Sequence, residues 1–115
     1  MMNRKTFLLG LGSLLALRAQ AQFTGPGAAA PTSTVAQVRQ ARLGRYVTLE
    51  GRIVAHQRQN YFSFRDASGE MRVEIEPAVW QNRKIGPDDK VRLVGEVDQG
   101  PAGRYLWVKS LDLVS

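Results

Sequence analysis

One stretch decides the fold of this 115-residue chain: residues 61–98, which read YFSFRDASGEMRVEIEPAVWQNRKIGPDDKVRLVGEVD. On either side of residues 66–69, apolar and polar side chains alternate, as they do in a strand with one buried face. Asp66 can bond the backbone two residues on, and Gly69 can adopt the positive φ of a tight return. We therefore predict a β-hairpin whose loop is residues 66–69.

This loop sets the register of the predicted hairpin. Phe64 then faces Val73 and Phe62 faces Ile75, and all four side chains lie on the buried side. A slip of one residue would turn both phenylalanines toward water, so the loop and the hydrophobic pattern agree on a single register.

Three more alternating segments supply the other strands: residues 46–55, 91–97 and 104–111. Gly51 interrupts the inward row of the first segment, which is typical of a bend, a bulge or a close backbone approach. A long first strand that bends in this way is what a small closed barrel requires.

Two short helical segments accompany the strands. Hydroxyl groups at residues 32–34 can cap a helix over residues 35–43, which would end at Gly44 and lie against one end of the barrel. Residues 77–82 form a helical turn on which Trp80 plugs the barrel's end. We predict an all-β fold, a five-stranded OB-fold barrel with a short N-terminal helix and a short helical turn between strands 3 and 4. That helical turn favours the OB-fold over an SH3-like barrel.

The start of the chain has the features of an export signal. Arg4 and Lys5 precede an apolar run at residues 7–17, and Ala19 and Ala21 have the small-x-small spacing of a signal-peptidase site. The apolar run falls short of the roughly 20 residues that a bilayer span needs, so we expect no stable membrane insertion after cleavage. The leader also resembles a twin-arginine signal with lysine in the second place, so both export routes stay open.

These features divide the chain into three parts. Residues 1–21 are the predicted cleaved signal peptide, residues 22–33 a flexible lead-in rich in Gly, Ala and Pro, and residues 34–115 the OB-fold domain. The predicted location is the periplasm.

The positive charge of the chain lies partly in that leader. The whole chain has 16 Lys and Arg against 10 Asp and Glu, but three of the basic residues are in residues 1–21, which leaves a net charge of +3 afterwards. A weakly positive exported domain needs no nucleic-acid partner. The chain has no cysteine, so burial of a core must stabilise it without disulfides.

Residue types that serve catalysis and metal binding are scarce. The one histidine, His56, lies in a polar segment, residues 56–60, which we interpret as an exposed loop. With a single histidine and no cysteine, we predict no catalytic site, no metal site and no cofactor. Asp88 and Asp89 fit a turn better than a hard-cation site. The sequence therefore predicts a protein that is not an enzyme.

The outward side of the strands is the candidate binding face. In the predicted register Arg65 faces Arg72 and Ser63 faces Glu74. Like charges opposite each other destabilise a sheet, which favours a functional role over a solvated surface, although Glu74 lies diagonal to Arg65. The candidate ligand-binding residues are Arg52, Tyr61, Ser63, Arg65, Arg72, Glu74, Tyr105 and Trp107.

Tyr105 and Trp107 join this face through the fifth strand. In that strand Leu106 and Val108 point to the buried side, and Leu111 returns to the same side through a local irregularity. The two aromatic rings therefore turn outward. Such rings beside guanidinium groups can stack sugars or bases, or hold an arginine by cation–π contact. The alternative is that Trp107 packs under the N-terminal helix or the lead-in, or forms a dimer contact.

A set of motifs in one order carries a family resemblance. They are F-x-G-P at 23–26, Y-x-S-F-x-D-x-x-G at 61–69, V-E-I at 73–75, Trp80, P-x-D-x-V at 87–91 and G-E-V-D at 95–98. With the leader, they resemble the bacterial OB-fold (BOF) family of periplasmic stress-tolerance proteins, the YgiW/YdeI type. The resemblance implies a small, exported, non-enzymatic OB domain linked to envelope or chemical stress.

Two positions depart from that family's pattern. Residues 80–82 read Trp-Gln-Asn where the family has Trp-x-Gly, and asparagine also tolerates the left-handed conformation that this turn needs. Residues 106–108 read Leu-Trp-Val where the family has Ile-Asp-Val, so a tryptophan replaces an acidic outward residue. For this reason the resemblance implies no cation-binding role for this strand.

Two classes of function remain. The first is a periplasmic binding module for a small molecule, a glycan or an envelope protein. The alternative is an oligonucleotide-binding OB domain, which requires exposed aromatic residues among basic ones along a groove. The leader argues against this nucleic-acid partner, because it directs the protein out of the cytoplasm.

Overall fold

The described part of the chain, residues 31–114 of a computed structural model, is a closed barrel of five strands with two short helices. The elements, in chain order, are α1 (Val35–Val38), β1 (Tyr46–Arg58), β2 (Tyr61–Asp66), β3 (Gly69–Glu74), α2 (Pro77–Trp80), β4 (Val91–Gly100) and β5 (Gly103–Leu113). This confirms the predicted all-β OB-fold with its helical turn between strands 3 and 4. The predicted signal peptide, residues 1–21, lies outside the described residues, as does most of the lead-in.

The strands follow one another around the barrel in the order β1-β2-β3-β5-β4, and β4 closes on β1. Four of the pairings are antiparallel, and the pairing of β3 with β5 is parallel. The fifth strand therefore lies beside the third, as the OB order predicts. Among the described residues, no helix is long and apolar enough to cross a membrane.

The barrel interior holds the inward-facing side chains of all five strands. Phe64, Val73 and Leu106 are fully buried there, and Val35 and Val38 of α1 close one end. Gly51 allows β1 to pass close to β2, because a Cβ at this position would lie 2.8 Å from Cζ of Phe64 and would clash with the backbone of Arg65. The close approach that the glycine predicts is therefore present.

The hairpin register differs from the prediction by two residues. Asp66 pairs with Gly69, so the loop has two residues, Phe64 faces Met71 and Phe62 faces Val73. The Asp66 carboxylate accepts hydrogen bonds from the backbone nitrogens of Ser68 at 2.7 Å and Gly69 at 3.2 Å, which closes a tighter turn than expected. A shift of two keeps every side chain on its predicted side of the sheet.

The first strand is longer than predicted. It continues to Arg58, so His56 lies in β1 rather than in an exposed loop, and only Gln59 and Asn60 connect it to β2. The imidazole of His56 stacks on the ring of Phe62, with centroids 4.7 Å apart. This contact extends the strand beyond the point at which the polar sequence suggested a loop.

The N-terminal helix is shorter than the predicted residues 35–43. It ends at Val38, and the side chain of Leu43, which is 48% exposed, lies outside the core. Thr34 and Gln37 form a reciprocal capping box at its start.

The segment before this helix covers part of β1. The backbone nitrogen of Ser33 donates to the carbonyl oxygen of Thr48 at 2.8 Å, and this neighbouring segment explains why Thr48 is buried although its parity predicted exposure.

The second helix carries Trp80 against the end of the core, as predicted. Its indole ring meets Phe62 edge to face, with centroids 5.2 Å apart. Gln81 and Asn82 follow with φ values of 55° and 59°. Asparagine thus does adopt the left-handed conformation in place of the family's glycine.

Candidate functional site

The outward side of β2, β3, β5 and β4 brings together five of the eight predicted site residues. We call this surface the aromatic face. It consists of Tyr61, Arg72, Glu74, Glu96, Asp98, Tyr105, Trp107 and Lys109. These residues come from four strands and meet because the fifth strand lies between the third and the fourth.

A row of alternating aromatic and acidic residues crosses this face from strand to strand. Glu74 is the Cα partner of Tyr61 on one side and of Trp107 on the other. Trp107 in turn pairs with Glu96, and Glu96 with Tyr46 of β1. Neighbouring strands are about 4.8 Å apart, so each carboxylate is within reach of the aromatic rings beside it.

Two tyrosines hold the guanidinium group of Arg72. Its central carbon lies 5.0 Å from the ring centroid of Tyr61 and 5.3 Å from that of Tyr105. The two rings touch edge to face at 5.9 Å. Nη2 of Arg72 donates to the carbonyl oxygen of Gly103 at 3.2 Å, while the buried Nε has no hydrogen-bond partner. Arg72 thus stabilises the arrangement of this face and is not a freely exposed cation.

The indole ring of Trp107 carries a cation on its face. The ammonium nitrogen of Lys109 lies 3.2 Å from the ring centroid, and Trp107 is partly exposed. A register shift in β4–β5, where Val94 pairs with Ser110 and Gly95 with Val108, leaves Lys109 without a Cα partner in β4. This is the local irregularity that the sequence predicts ahead of Leu111, and Trp107 faces outward as expected.

Negative charge accumulates around the Trp107 ring. Partial burial and the nearby carboxylates of Glu76 and Asp98 raise the pKa of Glu74, and Arg72 and Lys109 offset this only in part. The pKa of Tyr105 is also raised, by burial first and then by Asp98 and Glu74. Its hydroxyl donates to Oδ2 of Asp98 at 3.4 Å. The electrostatic environment of the aromatic face therefore favours an added positive charge.

The other three predicted site residues do not join this surface. Arg52 and Arg65 are exposed Cα partners on β1 and β2, and Arg65 makes a 3.0 Å ion pair with Glu70. The predicted contact of Arg65 with Arg72 is therefore wrong, because the shifted register places an acid opposite Arg65 instead. Ser63 is 8% exposed rather than outward and free, since Nε2 of Gln57 covers its hydroxyl at 2.8 Å.

Sequence reasoning missed three members of the aromatic face and one neighbour. Glu96 had the correct outward parity in the predicted fourth strand and Asp98 lay just beyond it, but only the β4–β5 register places them beside Trp107 and Tyr105. Lys109 reaches the indole through the irregularity in that pairing. The neighbour is Tyr46, the first residue of β1, which is 58% exposed at the end of the row.

Within residues 31–114, no three or more His, Cys, Asp or Glu side chains are grouped so that they could hold a metal ion. Trp107 lies between Glu74 and Glu96, and Asp98 lies two residues from Glu96 on β4. The chemistry of the aromatic face is therefore that of stacking and charge complementarity.

Comparison with known proteins agrees with this architecture. Residues 16–113 match the model of the bacterial OB fold (BOF) proteins. The chain belongs to this family. This BOF protein is 36% identical over 106 residues to the calcium-regulated OB-fold protein CarO of Pseudomonas aeruginosa, a match that covers 92% of this chain and 90% of that protein. It is also 36% identical over 67 residues to YgiW of Escherichia coli K12, across 58% of this chain and 52% of YgiW.

The fold of this BOF protein is also found in solved structures. The structure of YgiW from E. coli matches with a TM-score of 0.72 and 33% identity, over 80% of this chain and 97% of that one. The S. pombe Stn1–Ten1 complex matches with a TM-score of 0.61 over 77% of this chain and 82% of that one, at 13% identity. A likeness at so low an identity shows a shared fold alone.

Proposed function

We propose that this BOF protein is a non-enzymatic binding module of the bacterial periplasm that contributes to tolerance of envelope or chemical stress. It binds a small molecule, a glycan or an envelope protein through the aromatic face. The observation that carries this proposal is the position of Trp107, partly exposed on the outer wall between Glu74 and Glu96. An aromatic ring bordered by polar groups supplies both contact area and orientation to a ligand.

The way in which Arg72 is held supports a preformed binding surface. Cation–π contacts with Tyr61 and Tyr105 keep three large side chains in one arrangement. Side chains that are ordered before binding lose less conformational entropy when a ligand arrives. The rigid barrel beneath them adds to this preorganisation.

The charges around the rings argue against the oligonucleotide alternative. Proteins that bind single-stranded nucleic acid place aromatic side chains among basic residues that track the phosphates. Here the cross-strand neighbours of Trp107 are Glu74 and Glu96, and the exposed arginines of β1 and β2 lie outside the aromatic face. The two cations of the face are already engaged, Lys109 with the Trp107 ring and Arg72 with two tyrosines. A phosphate backbone laid across this surface would meet carboxylates.

A periplasmic location follows from the leader-like sequence of residues 1–21 and is tested independently of binding. We expect the exported protein to begin at or near Gln22. Intact-mass analysis of periplasmic protein is the measurement. A protein that stays in the cytoplasm, or that keeps residues 1–21 after export, would contradict this part of the proposal.

The binding proposal is tested with the Trp107→Ala variant and a defined set of probes. The probes are chitotetraose as a glycan, spermidine as a small organic molecule and a twelve-residue oligothymidine as single-stranded DNA. We expect Trp107→Ala to change the free energy of unfolding by under about 1 kcal/mol. We expect it to weaken the binding of whichever probe the wild-type protein takes by about tenfold.

The matched control is Leu113→Ala, which removes a large side chain, 53% exposed, from the same strand but away from the aromatic face. It should leave probe binding unchanged. The proposal fails if Trp107→Ala unfolds the domain, since the residue would then belong to the core. It also fails if oligothymidine binds best and its affinity falls steeply with salt, because that is the behaviour of a nucleic-acid protein.

A further inference from the structure

We infer that the Trp107 ring with its two flanking carboxylates is a subsite for an alkylammonium group, so that the ligand is an organic polycation. This inference rests on the proposed function and adds the chemical class of the ligand. Alkylammonium groups occur in polyamines and in lysine-rich peptides, and the subsite recognises the chemistry that the two share.

The first observation is that the ring already holds an ammonium group. Nζ of Lys109 lies 3.2 Å from the Trp107 centroid, over the electron-rich face of the best cation–π partner among the aromatic side chains. Lys109 is exposed, and its ammonium is carried on a flexible four-carbon side chain. The Lys109 ammonium therefore occupies the position that the cation of a ligand would take.

The second observation is that the carboxylates of Glu74 and Glu96, which flank Trp107, have no ion-pair partner among the described residues. No salt bridge within residues 31–114 includes Glu74, Glu96 or Asp98. By contrast, Glu50 on β1 has two basic partners, Lys90 at 3.8 Å and Arg92 at 2.8 Å. The carboxylates around Trp107 are thus left available to a cation that arrives from outside.

The geometry of the row favours more than one cation. Glu74 and Glu96 flank Trp107 on opposite sides, and beyond them lie Tyr61 and Tyr46. Aromatic and acidic groups that alternate at about 4.8 Å match a chain in which ammonium groups are separated by methylene segments. The methylenes can pack on the rings while the ammonium groups meet the carboxylates.

A metal cation does not fit this subsite equally well. Hard cations such as Ca²⁺ take six to eight oxygen ligands, whereas an indole ring occupies the centre here. Within the described residues no acidic group has the arrangement of a metal site. The face of Trp107 instead suits an organic ammonium group, because the ring attracts the cation and the attached methylene groups can pack on it.

The test measures the binding of two probes, spermidine and trilysine, by isothermal titration and by the Trp107 indole signal in NMR spectra. Trp107→Ala, and separately Glu74→Gln or Glu96→Gln, should weaken binding by about tenfold. The conservative Gln variants keep the test valid if removal of the indole disturbs the fold. Calcium chloride at matched ionic strength is the control for a hard cation and should compete only by screening.

Lys109 provides the sharpest prediction. Because its ammonium competes with the ligand for the ring, Lys109→Ala should tighten spermidine or trilysine binding several-fold. The matched control is Lys84→Ala, which removes the same charge from an exposed loop outside the aromatic face. A purely long-range charge effect would make the two variants equal, and that result would overturn the inference.

The remaining outcomes separate this inference from the proposed function. If chitotetraose binding depends on Trp107 while neither cation binds, the binding module stands and the cation subsite is wrong. If no probe depends on Trp107, both are wrong. Binding of trilysine without spermidine supports a peptide as the source of the ammonium groups, and the reverse result supports a polyamine.

Discussion

The guanidinium carbon of Arg72 lies 5.3 Å from the ring centroid of Tyr105, and this contact links β3 to β5 across the parallel pairing of the barrel. Arg72 also donates to the carbonyl oxygen of Gly103 in the β4–β5 hairpin. Arg72, which the sequence suggests as a ligand-binding residue, therefore has a structural role. It orders the rings that a ligand would meet.

Replacement of Arg72 should therefore cost stability. We expect Arg72→Ala to lower the free energy of unfolding by about 1–3 kcal/mol, since two cation–π contacts and a hydrogen bond are lost. Arg65→Ala is the control, because its ion pair with Glu70 is exposed and should contribute under about 1 kcal/mol. Urea denaturation measures both, and equal losses would contradict a structural role for Arg72.

The core prediction concerns Phe64, which is fully buried between the barrel walls. Phe64→Ala should destabilise the domain by about 3–5 kcal/mol, because it removes a large side chain and leaves a cavity. Tyr46→Ala removes an aromatic side chain that is 58% exposed and should cost much less. Thermal and chemical unfolding of the two variants should differ clearly, and similar losses would place Phe64 outside the core.

Close packing of β1 against β2 makes Gly51 sensitive to a single methyl group. Gly51→Ala would drive a Cβ into the backbone of Arg65 and toward Phe64, and should cost about 1–3 kcal/mol or more. Gly100→Ala is the matched control in a strand, because its Cβ would only make an ordinary 3.5 Å contact with Tyr105. A Gly51→Ala protein as stable as the control would mean that β1 and β2 approach less closely.

Asp66 makes stability depend on pH at the acidic end. Burial opposes ionisation of this carboxyl, but hydrogen bonds from Ser68, Val35 and Gly69 outweigh it and lower its pKa. A lowered pKa stabilises the fold above the ordinary value near 4, and this contribution is lost as the pH falls through the folded-state pKa. Asp66→Ala should cost about 0.5–2 kcal/mol at pH 7, partly through the lost bond to the start of α1.

The difference between wild type and Asp66→Ala should shrink as the pH is lowered from 7 to 3. Denaturation curves collected at several pH values measure it. A constant difference over that range would show that the carboxylate charge does not contribute.

Glu74 should behave in the opposite direction. Its raised pKa, caused by burial and then by the charges of Glu76 and Asp98, means that the ionised form is disfavoured in the folded state. The contribution of Glu74 to stability should therefore rise as the pH falls through that pKa, and Glu74→Gln should be at least as stable as wild type at pH 7. Loss of stability in Glu74→Gln at pH 7 would contradict the assigned charge environment.

The sequence by itself determined which side of each strand faces the core. Alternation placed Phe64 and Val73 inside and Tyr61 and Trp107 outside, and the structure agrees, because parity fixes which side of the sheet a side chain faces. The two-residue error in the predicted hairpin register left these inside and outside assignments unchanged. The order of the elements was likewise sufficient for the OB topology, since few closed five-stranded arrangements place a helical turn after the third strand.

The tertiary structure alone decided which outward residues meet. The tight turn at Asp66 moved Arg65 opposite Glu70, and the parallel pairing of β3 with β5 placed Trp107 between Glu74 and Glu96. These positions depend on hydrogen bonds and on pairings between residues far apart in the chain, which no local pattern encodes. A sequence shows which side of a strand a residue faces, but the register between strands determines its neighbours, and those neighbours determine the chemistry of the aromatic face.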